Sequence, residues 1–411
     1  MKLLILLVIV LAIIAIAQLT KVYDLSKNLR KSKEEEISDS DNKLNANLML
    51  IWMFVFFLGT IFLYVRYGNY LPEAASVHGK EVDWLMSINL WGITIAFFIV
   101  NAALFYVAWK FYYKKGRKVK FMLHDNKLEM IWTLIPGVSM AFIIIFGLIT
   151  WNHITGPASP DAIKVELYSE QFKWTARYPG GDKEFGASNY NLIDAETGNA
   201  LGLVDKEAVA LKVNSIDKAV DSIQSIISNN AKNPVFPESY VETLNDKVYR
   251  MQRQKQRILD LREYGTPSGV SEWQAGKDDK IVKGEFHIPV GQEVEFVFRS
   301  QDVIHSAYMP HFRAQMNAVP GVPTRFKMTP TITTKEMRQK LNNDAFNYIL
   351  LCNKVCGAAH YNMKMEVVVE TQEEYDAWLG KQKSFKGEPS DKKDVATVDV
   401  VSEKDVKVGL N

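Results

Sequence analysis

The stretch "LLCNKVCGAAHYNM" (350–363) decides how this chain is read, because it holds both cysteines of the 411 residues. A histidine and a methionine follow them closely. Two cysteines in such a length cannot build a disulfide scaffold. A single Cys352–Cys356 bridge is one reading of the loop, and a metal site is the other. The bridge would close a very short loop and contribute little by chain entropy, and it leaves His360 and Met363 unexplained. Thiolate, imidazole and thioether together form the soft-to-borderline set that copper prefers. Carboxylates are missing from the loop, which disfavours calcium or magnesium there. Zinc could use two cysteines and two histidines, but methionine serves it poorly and the CxxC and HxxxH spacings are absent. Upstream, "QDVIHSAYMP" (301–310) supplies His305 at the end of a strand pattern. The full pattern is C-x3-C-x3-H-x2-M with an upstream histidine.

Around this loop the chain reads as β structure. "AIKVELYSEQFKWTARYP" (162–179), "KIVKGEFHIPVGQEVEFVFRS" (280–300), "FKMTPTITTK" (326–335) and "MEVVVETQ" (365–372) alternate apolar and polar residues between turn formers. That pattern predicts an antiparallel sandwich or barrel. An island of helical spacing interrupts it. Val209, Val213, Ile216, Val220, Ile223 and Ile227 recur on one face of 205–231, and Val241, Leu244, Val248, Met251, Ile258 and Leu261 on one face of 238–263. Pro237 suits a helix start and Gly265 a stop. We expect a helical hairpin inserted over 205–265, packed on the β domain as a decoration or offered to a partner. From about 379 the chain is polar and lysine-rich, and 379–411 is expected to be a flexible tail.

The N-terminal third differs again. The chain is 47% hydrophobic, with a formal net charge of +2. That balance gives no argument for nucleic acid as a partner. The apolar residues concentrate in 3–17, 47–65, 88–109 and 130–151, and the last three stretches approach or exceed the roughly 20 residues of a membrane-spanning helix. Trp52, Tyr64, Tyr67, Trp91, Trp109, Trp132 and Trp151 lie near several ends, as an interfacial belt would. Pro136 sits where a membrane bundle tolerates it. The first stretch also resembles a signal peptide ending in Ala15-Ile16-Ala17. Basic residues decide for retention: 18–46 and 110–128 are lysine- and arginine-rich, whereas 67–86 carries Lys80 alone. Positive-inside logic places the first two in the cytoplasm and the third outside. Four spans satisfy this, with everything beyond 151 outside.

On these residues the chain resembles subunit II of haem–copper cytochrome c oxidases. "LLCNKVCGAAHYNM" resembles the family's dinuclear copper (CuA) loop. "DVIHS" (302–306) is similar to the segment carrying its first copper histidine, "AVPG" (318–321) to the motif after it, "EMIWTLIP" (129–136) to the start of its last membrane helix, and "EQFKW" (170–174) to its aromatic strand. The resemblance covers about 47–179 and 280–378. It implies transmembrane helices followed by an all-β cupredoxin-like sandwich or barrel. The expected layout is an extra span at 1–20, a cytoplasmic linker at 21–46, three spans within 47–151, and an exported domain at 160–378.

Carried over by position, the resemblance implies that Cys352 and Cys356 bridge two coppers through their thiolates. His305 and His360 each cap one copper. Met363 is a weak ligand to one, and the backbone carbonyl of Lys354 serves the other. Phe172 and Trp174 are the candidates for where electrons arrive, with phenylalanine at 172 in place of the family's usual tryptophan. Lys354 stands where the family usually has a glutamate that helps bind magnesium at the interface with subunit I, so the chain departs from that donor set. Glu129 lies at the cytoplasmic mouth of the last span. Its roles are an acid favourable at a helix N-terminus or, as the resemblance implies, a feeder of protons to subunit I. Asp302 reads as a hydrogen-bonding residue beside the copper, and His311, His124 and His153 as surface or interface histidines.

The implied function is electron transfer from a c-type cytochrome through the copper site to haem in subunit I, where oxygen is reduced to water with proton pumping. The implied partners are subunits I and III, the membrane, and a cytochrome donor, free or held by a quinol:cytochrome c reductase in a supercomplex. The implied place is a bacterial cytoplasmic membrane with the copper domain on the outer side. Two alternatives stand beside it. A quinol oxidase homologue typically lacks the copper ligands, all of which are present here. A stand-alone membrane-anchored copper carrier would purify without haem. Nitrous oxide reductase has a similar loop but not this run of membrane helices.

Overall fold

A computed structural model describes residues 2–29, 38–68, 71–118, 124–194, 198–267 and 269–386. It divides into two compact units, one of Met1–Leu71 with Met86–Ile143 and one of Pro72–Leu85 with Ile144–Asn411.

Four helices come first: α1 (Lys2–Leu29), α2 (Asp39–Tyr67), α3 (Val77–Lys110) and α4 (Asn126–Thr155). Among the described residues, α2, α3 and α4 are long and apolar enough to cross a membrane. At 1.5 Å per residue each exceeds about 40 Å, against a hydrocarbon core of about 30 Å. Their apolar side chains are largely exposed, as fits helices whose solvent is lipid. Ser38 caps α2 by accepting from the Asp41 N–H at 3.1 Å. Rings of α2 and α3 interlock, with Phe57 edge-on to Phe98 at 4.8 Å. The linker expected over 21–46 is largely helical, since α1 runs to Leu29 and α2 starts at Asp39; 30–37 lie outside the described residues.

The second unit is a sandwich of two five-stranded sheets. A hairpin of β1 (Ile163–Glu170) and β2 (Lys173–Tyr178) opens it. The inserted α5 (Lys206–Lys232) and α6 (Glu238–Leu259) and a short α7 (Glu272–Ala275) follow. Then come β3 (Lys280–Lys283), β4 (Glu285–Pro289), β5 (Val294–Ser300), β6 (His305–Met309), β7 (Ala314–Ala318), β8 (Thr324–Met328), α8 (Thr334–Leu341), β9 (Tyr348–Cys352), β10 (Lys364–Glu370) and α9 (Gln372–Lys381). The sheet orders are β3-β2-β1-β5-β8 and β4-β10-β9-β6-β7. Phe286, Phe296, Phe298, Phe312, Tyr178 and Tyr348 fill the space between them.

The antiparallel expectation needs correcting. β1 runs parallel to β5, and β4 parallel to β10. Each pair is joined by a long excursion of chain, which is what a parallel crossover requires. Residues 326–335 are strand only to Met328, because Pro330 cannot donate to a ladder and Thr333 caps α8. Thr333 and Glu336 form a capping box, and Thr371 and Glu374 form another that starts α9.

The hairpin packs Ile216, Val220, Ile223, Leu244, Val248 and Ile258 into a second core together with Leu192 and Val204 from the preceding segment. Lys255 pairs with Asp217 across it at 2.7 Å. Residues 379–386, expected within the tail, are anchored: Ser384 bridges to Lys280, and Lys386 pairs with Glu207 at 2.9 Å. The remaining tail, 387–411, lies outside the described residues.

Sheet β3-β2-β1-β5-β8 also carries a buried ion network. Arg177 is paired with Glu166 and lies 3.3 Å from Asp279, while Arg299 reaches Glu166 at 3.1 Å. The Gly186 N–H donates to Asp279 at 3.1 Å. Burial raises the Asp279 carboxyl to about 7, with Arg177 pulling the other way. Its folded value lies above the ordinary carboxylate range, so its contribution to stability is present below about pH 4 and lost as pH rises toward 7. Asp279→Asn, which cannot ionise, should therefore gain stability relative to the parent across that interval. Urea unfolding at several pH values checks this; a pH-independent difference would contradict it.

Candidate metal centre

β9 ends on Cys352, β10 begins at Lys364, and the loop between them is pinned at both ends. The Cys352 N–H donates to Met363 O at 3.0 Å, and the Asn353 N–H to Ser306 O at 2.9 Å. The second bond docks the loop on β6. His305 begins that strand rather than ending one, and pairs with Ala318 of β7. A short 3-10 turn, His360–Asn362, returns the chain to β10.

This geometry gathers the ligand-type atoms. The two thiol sulfurs are unbonded and 3.9 Å apart. Cys352 Sγ lies 3.8 Å from His305 Nδ1 and 3.2 Å from the Lys354 carbonyl oxygen. Cys356 Sγ lies 3.6 Å from His360 Nδ1 and 3.7 Å from Met363 Sδ. Two sulfurs on one ion lie at most about 4.6 Å apart, from metal–sulfur bonds of about 2.3 Å. The spacing therefore fits sulfurs sharing a metal. The grouping divides in two, Cys352 with His305 and the Lys354 carbonyl, Cys356 with His360 and Met363. All six sequence candidates for metal binding converge here.

The surroundings orient these atoms. His305 is fully buried, and its Nε2 lies 2.8 Å from Asp302 Oδ1. With the Nε2 proton donated to that carboxylate, Nδ1 is left free as a ligand. Burial pushes the Asp302 carboxyl up, but hydrogen bonds from His305 and from the Gln171 and Val303 N–H groups outweigh it and hold it below the ordinary range. Burial first, and then the neighbouring Cys352 thiol, push the Cys356 thiol up to about 11. Metal binding at neutral pH must therefore displace a proton from it.

Gln171 escaped sequence reading, although it lies within the quoted "EQFKW". Its N–H donates to Asp302 Oδ2 at 2.7 Å and its side-chain amide donates to Cys356 O, joining both halves of the site. Phe172 is half-buried beside it. Gly357 adopts φ +144°, and a Cβ there would meet the Phe172 ring at 2.9 Å and Gln171 Nε2 at 2.8 Å. Trp174 is buried, edge-on to His305 with centroids 6.2 Å apart.

Asp302→Asn tests this orienting role. We expect copper affinity to fall by about 10–100-fold with the unfolding midpoint of the β domain little changed. A competitive chelator titration measures it, and an unaltered affinity would rule the role out.

The remaining candidates lie elsewhere. Glu129 stands in the first turn of α4, 3.6 Å from His124 Nδ1. His153 is exposed and 3.8 Å from Glu81. His311, read as a surface or interface histidine, is half-buried: it packs edge-on against Phe346 and Tyr348, and burial, then Arg313, lowers its pKa.

The family described as cytochrome c oxidase subunit II, transmembrane domain, matches residues 64–149, and that of the subunit's periplasmic domain matches 274–372. The helical hairpin lies outside both segments. An alternative cytochrome c oxidase subunit 2 of Bradyrhizobium diazoefficiens is 28% identical over 74% of this chain and 82% of that protein. The cytochrome c oxidase subunit 2 of Cereibacter sphaeroides is 23% identical over 76% of this chain and 79% of that protein. One from Thermostichus vulcanus is 40% identical over 25% of this chain and 27% of that protein.

Proposed function

We propose, from the premise that this chain belongs to the cytochrome c oxidase subunit II family, that it is the subunit through which electrons enter such an oxidase. The observation that carries the proposal is the convergence of two thiols, two imidazoles, a thioether and a carbonyl on one loop and one strand end. Copper bound among these donors would supply a one-electron relay between partners.

The chain's own residues prepare that site. Cys352, Cys356, His305 and His360 would hold the copper, with Met363 and the Lys354 carbonyl completing the set. Asp302 fixes the tautomer of His305, and Gln171 ties the two halves together. Trp174 and Met363 keep water from the inner side, being buried there. A site held this firmly by the sandwich is preorganised, which lowers the cost of changing its charge.

The proposal extends to partners. Electrons would come from a c-type cytochrome, alone or within a supercomplex, and pass to haem in subunit I, where oxygen is reduced to water with proton pumping; subunit III completes the assembly. Glu129 is the candidate for proton uptake. Helix α1 is taken as a fourth span, in a bacterial cytoplasmic membrane with the copper domain outside. Lys354 lacks the carboxylate that would help hold an interface magnesium, so no magnesium is assigned. The quinol oxidase reading is disfavoured by the complete ligand set.

Mild-detergent purification with metal and haem analysis tests the proposal. We expect copper in this chain and a co-migrating haem-bearing subunit. A solitary chain without haem would favour the carrier.

A further inference from the structure

Residues 72–85, which lead into α3 and form its first turns, belong to the same compact unit as the sandwich. Their backbone is built into it. The Ala75 N–H donates to His311 O at 2.7 Å, the Val77 N–H to Thr329 O at 3.0 Å, and the Thr331 N–H to Ala75 O at 2.8 Å. Ser76 Oγ donates to Phe312 O at 2.7 Å, and Ala75 and Ser76 are fully buried.

Arg313 fastens this strap. It stands in the turn joining β6 to β7 with φ +53°, a left-handed conformation that glycine adopts freely and other residues adopt at a cost. Its side chain is 9% exposed. Nε and Nη2 grip the two carboxylate oxygens of Asp83 at 2.7 and 2.9 Å. Nη2 also donates to Pro72 O at 2.6 Å, and Nη1 to Pro310 O at 2.7 Å. A fork of this kind fixes orientation as well as distance. A side chain kept where the backbone disfavours one, and held by four hydrogen bonds, points to a use for it.

The turn is the far end of the strand pair that carries the metal ligands. His305 opens β6 and pairs with Ala318 at the other end of β7, and β6 holds Cys352 opposite Ala307. Arg313 therefore ties the first turns of α3 to the strand on which both ligand-bearing segments rest.

We propose that Arg313 is a positioning residue for electron exit: with Asp83 it fixes the ligand-bearing strand against the start of α3, and so sets how fast an electron leaves copper for haem in subunit I. The inference rests on the reading of the chain as the electron-accepting subunit. The fork makes no hydrogen bond to a metal ligand, so copper binding does not depend on it. One electron passes to ferric haem with no bond made or broken, which leaves placement to govern the rate. A displacement of about 1 Å that starts far from the reacting centres can cost up to about 100-fold.

The test uses the purified, copper-loaded oxidase. Arg313→Gly removes the fork and relaxes the turn at once, so a loss there does not come from backbone strain. Asp83→Asn weakens the same pair from its other side, and it decides alone if Arg313→Gly does not assemble. A photoactivated ruthenium complex injects an electron at copper, and haem absorbance follows its arrival. We expect the copper absorbance to be retained and haem reduction to slow by at least about tenfold. Hydrogen exchange at the Ala75, Val77 and Thr331 N–H groups should quicken in the same variants. The double variant should be no slower than the slower single one, because residues acting through one contact are not additive. Haem reduction or strap exchange at the parent rate in the variants would overturn the proposal, as would additive losses in the double. So would an altered copper absorbance, which moves the effect into the metal site, or loss of subunit I from Asp83→Asn, which makes the pair an assembly contact. Absence of the copper absorbance from the parent oxidase would instead overturn the copper reading, and is seen separately.

Discussion

Cys356→Ser is expected to abolish the dinuclear copper signal and reduce electron uptake from a reduced donor to background, while the membrane helices and sandwich still assemble. The reason is the position of this sulfur. It lies within 3.9 Å of Cys352 Sγ, His360 Nδ1 and Met363 Sδ alike, so it is shared by nearly every contact on its side of the site. A serine oxygen is smaller, harder and a poor ligand for copper. The substitution leaves a buried hydroxyl, whose cost of about 1–3 kcal/mol is small beside the core of six large aromatic residues that fixes the sandwich. Copper analysis, visible absorbance and single-turnover uptake check the result together. An unchanged copper spectrum would refute the ligand assignment.

Arg177→Met is the largest expected effect on stability. The guanidinium lies between Glu166 and Asp279, all three being buried, and Arg299 also pairs with Glu166. Removing one partner of a buried ionic group leaves uncompensated charge, at a cost of about 3–5 kcal/mol. The loss should shrink as pH falls and the carboxyls take up protons, because Asp279 is already raised to about 7 by burial. Adding Asp279→Asn should restore part of it. Urea unfolding of the full chain in detergent measures both; a loss below about 1 kcal/mol at neutral pH would mean that the network carries little.

The metal loop was legible because four of its donor groups lie within twelve residues of one another in the chain, so proximity in sequence already meant proximity in space. His305 stood out as an upstream histidine on a strand pattern, but its distance in sequence gave no nearness to the loop, which depends on β6 pairing with β9. The membrane helices announced themselves by length and apolarity, and the hairpin by its period. What stayed hidden depends on long-range pairing. Glu166, Arg177, Asp279 and Arg299 look like ordinary outward residues of alternating strands until the sheet and residues 185–186 close over them. The parallel pairs β1–β5 and β4–β10 cannot be read from alternation, which specifies faces and not neighbours. The capping boxes at Thr333 and Thr371 were readable but were outweighed by the apolar alternation around them. Gln171 gave no local signal, because its partners arrive from two distant segments.

The most direct test of the central claim is electron paramagnetic resonance, with copper counting, on the purified chain in its partly reduced state. We expect two copper ions per chain and a hyperfine pattern from one unpaired electron shared over two equivalent copper nuclei. A single copper ion with the pattern of one nucleus, or zinc in its place, would contradict it.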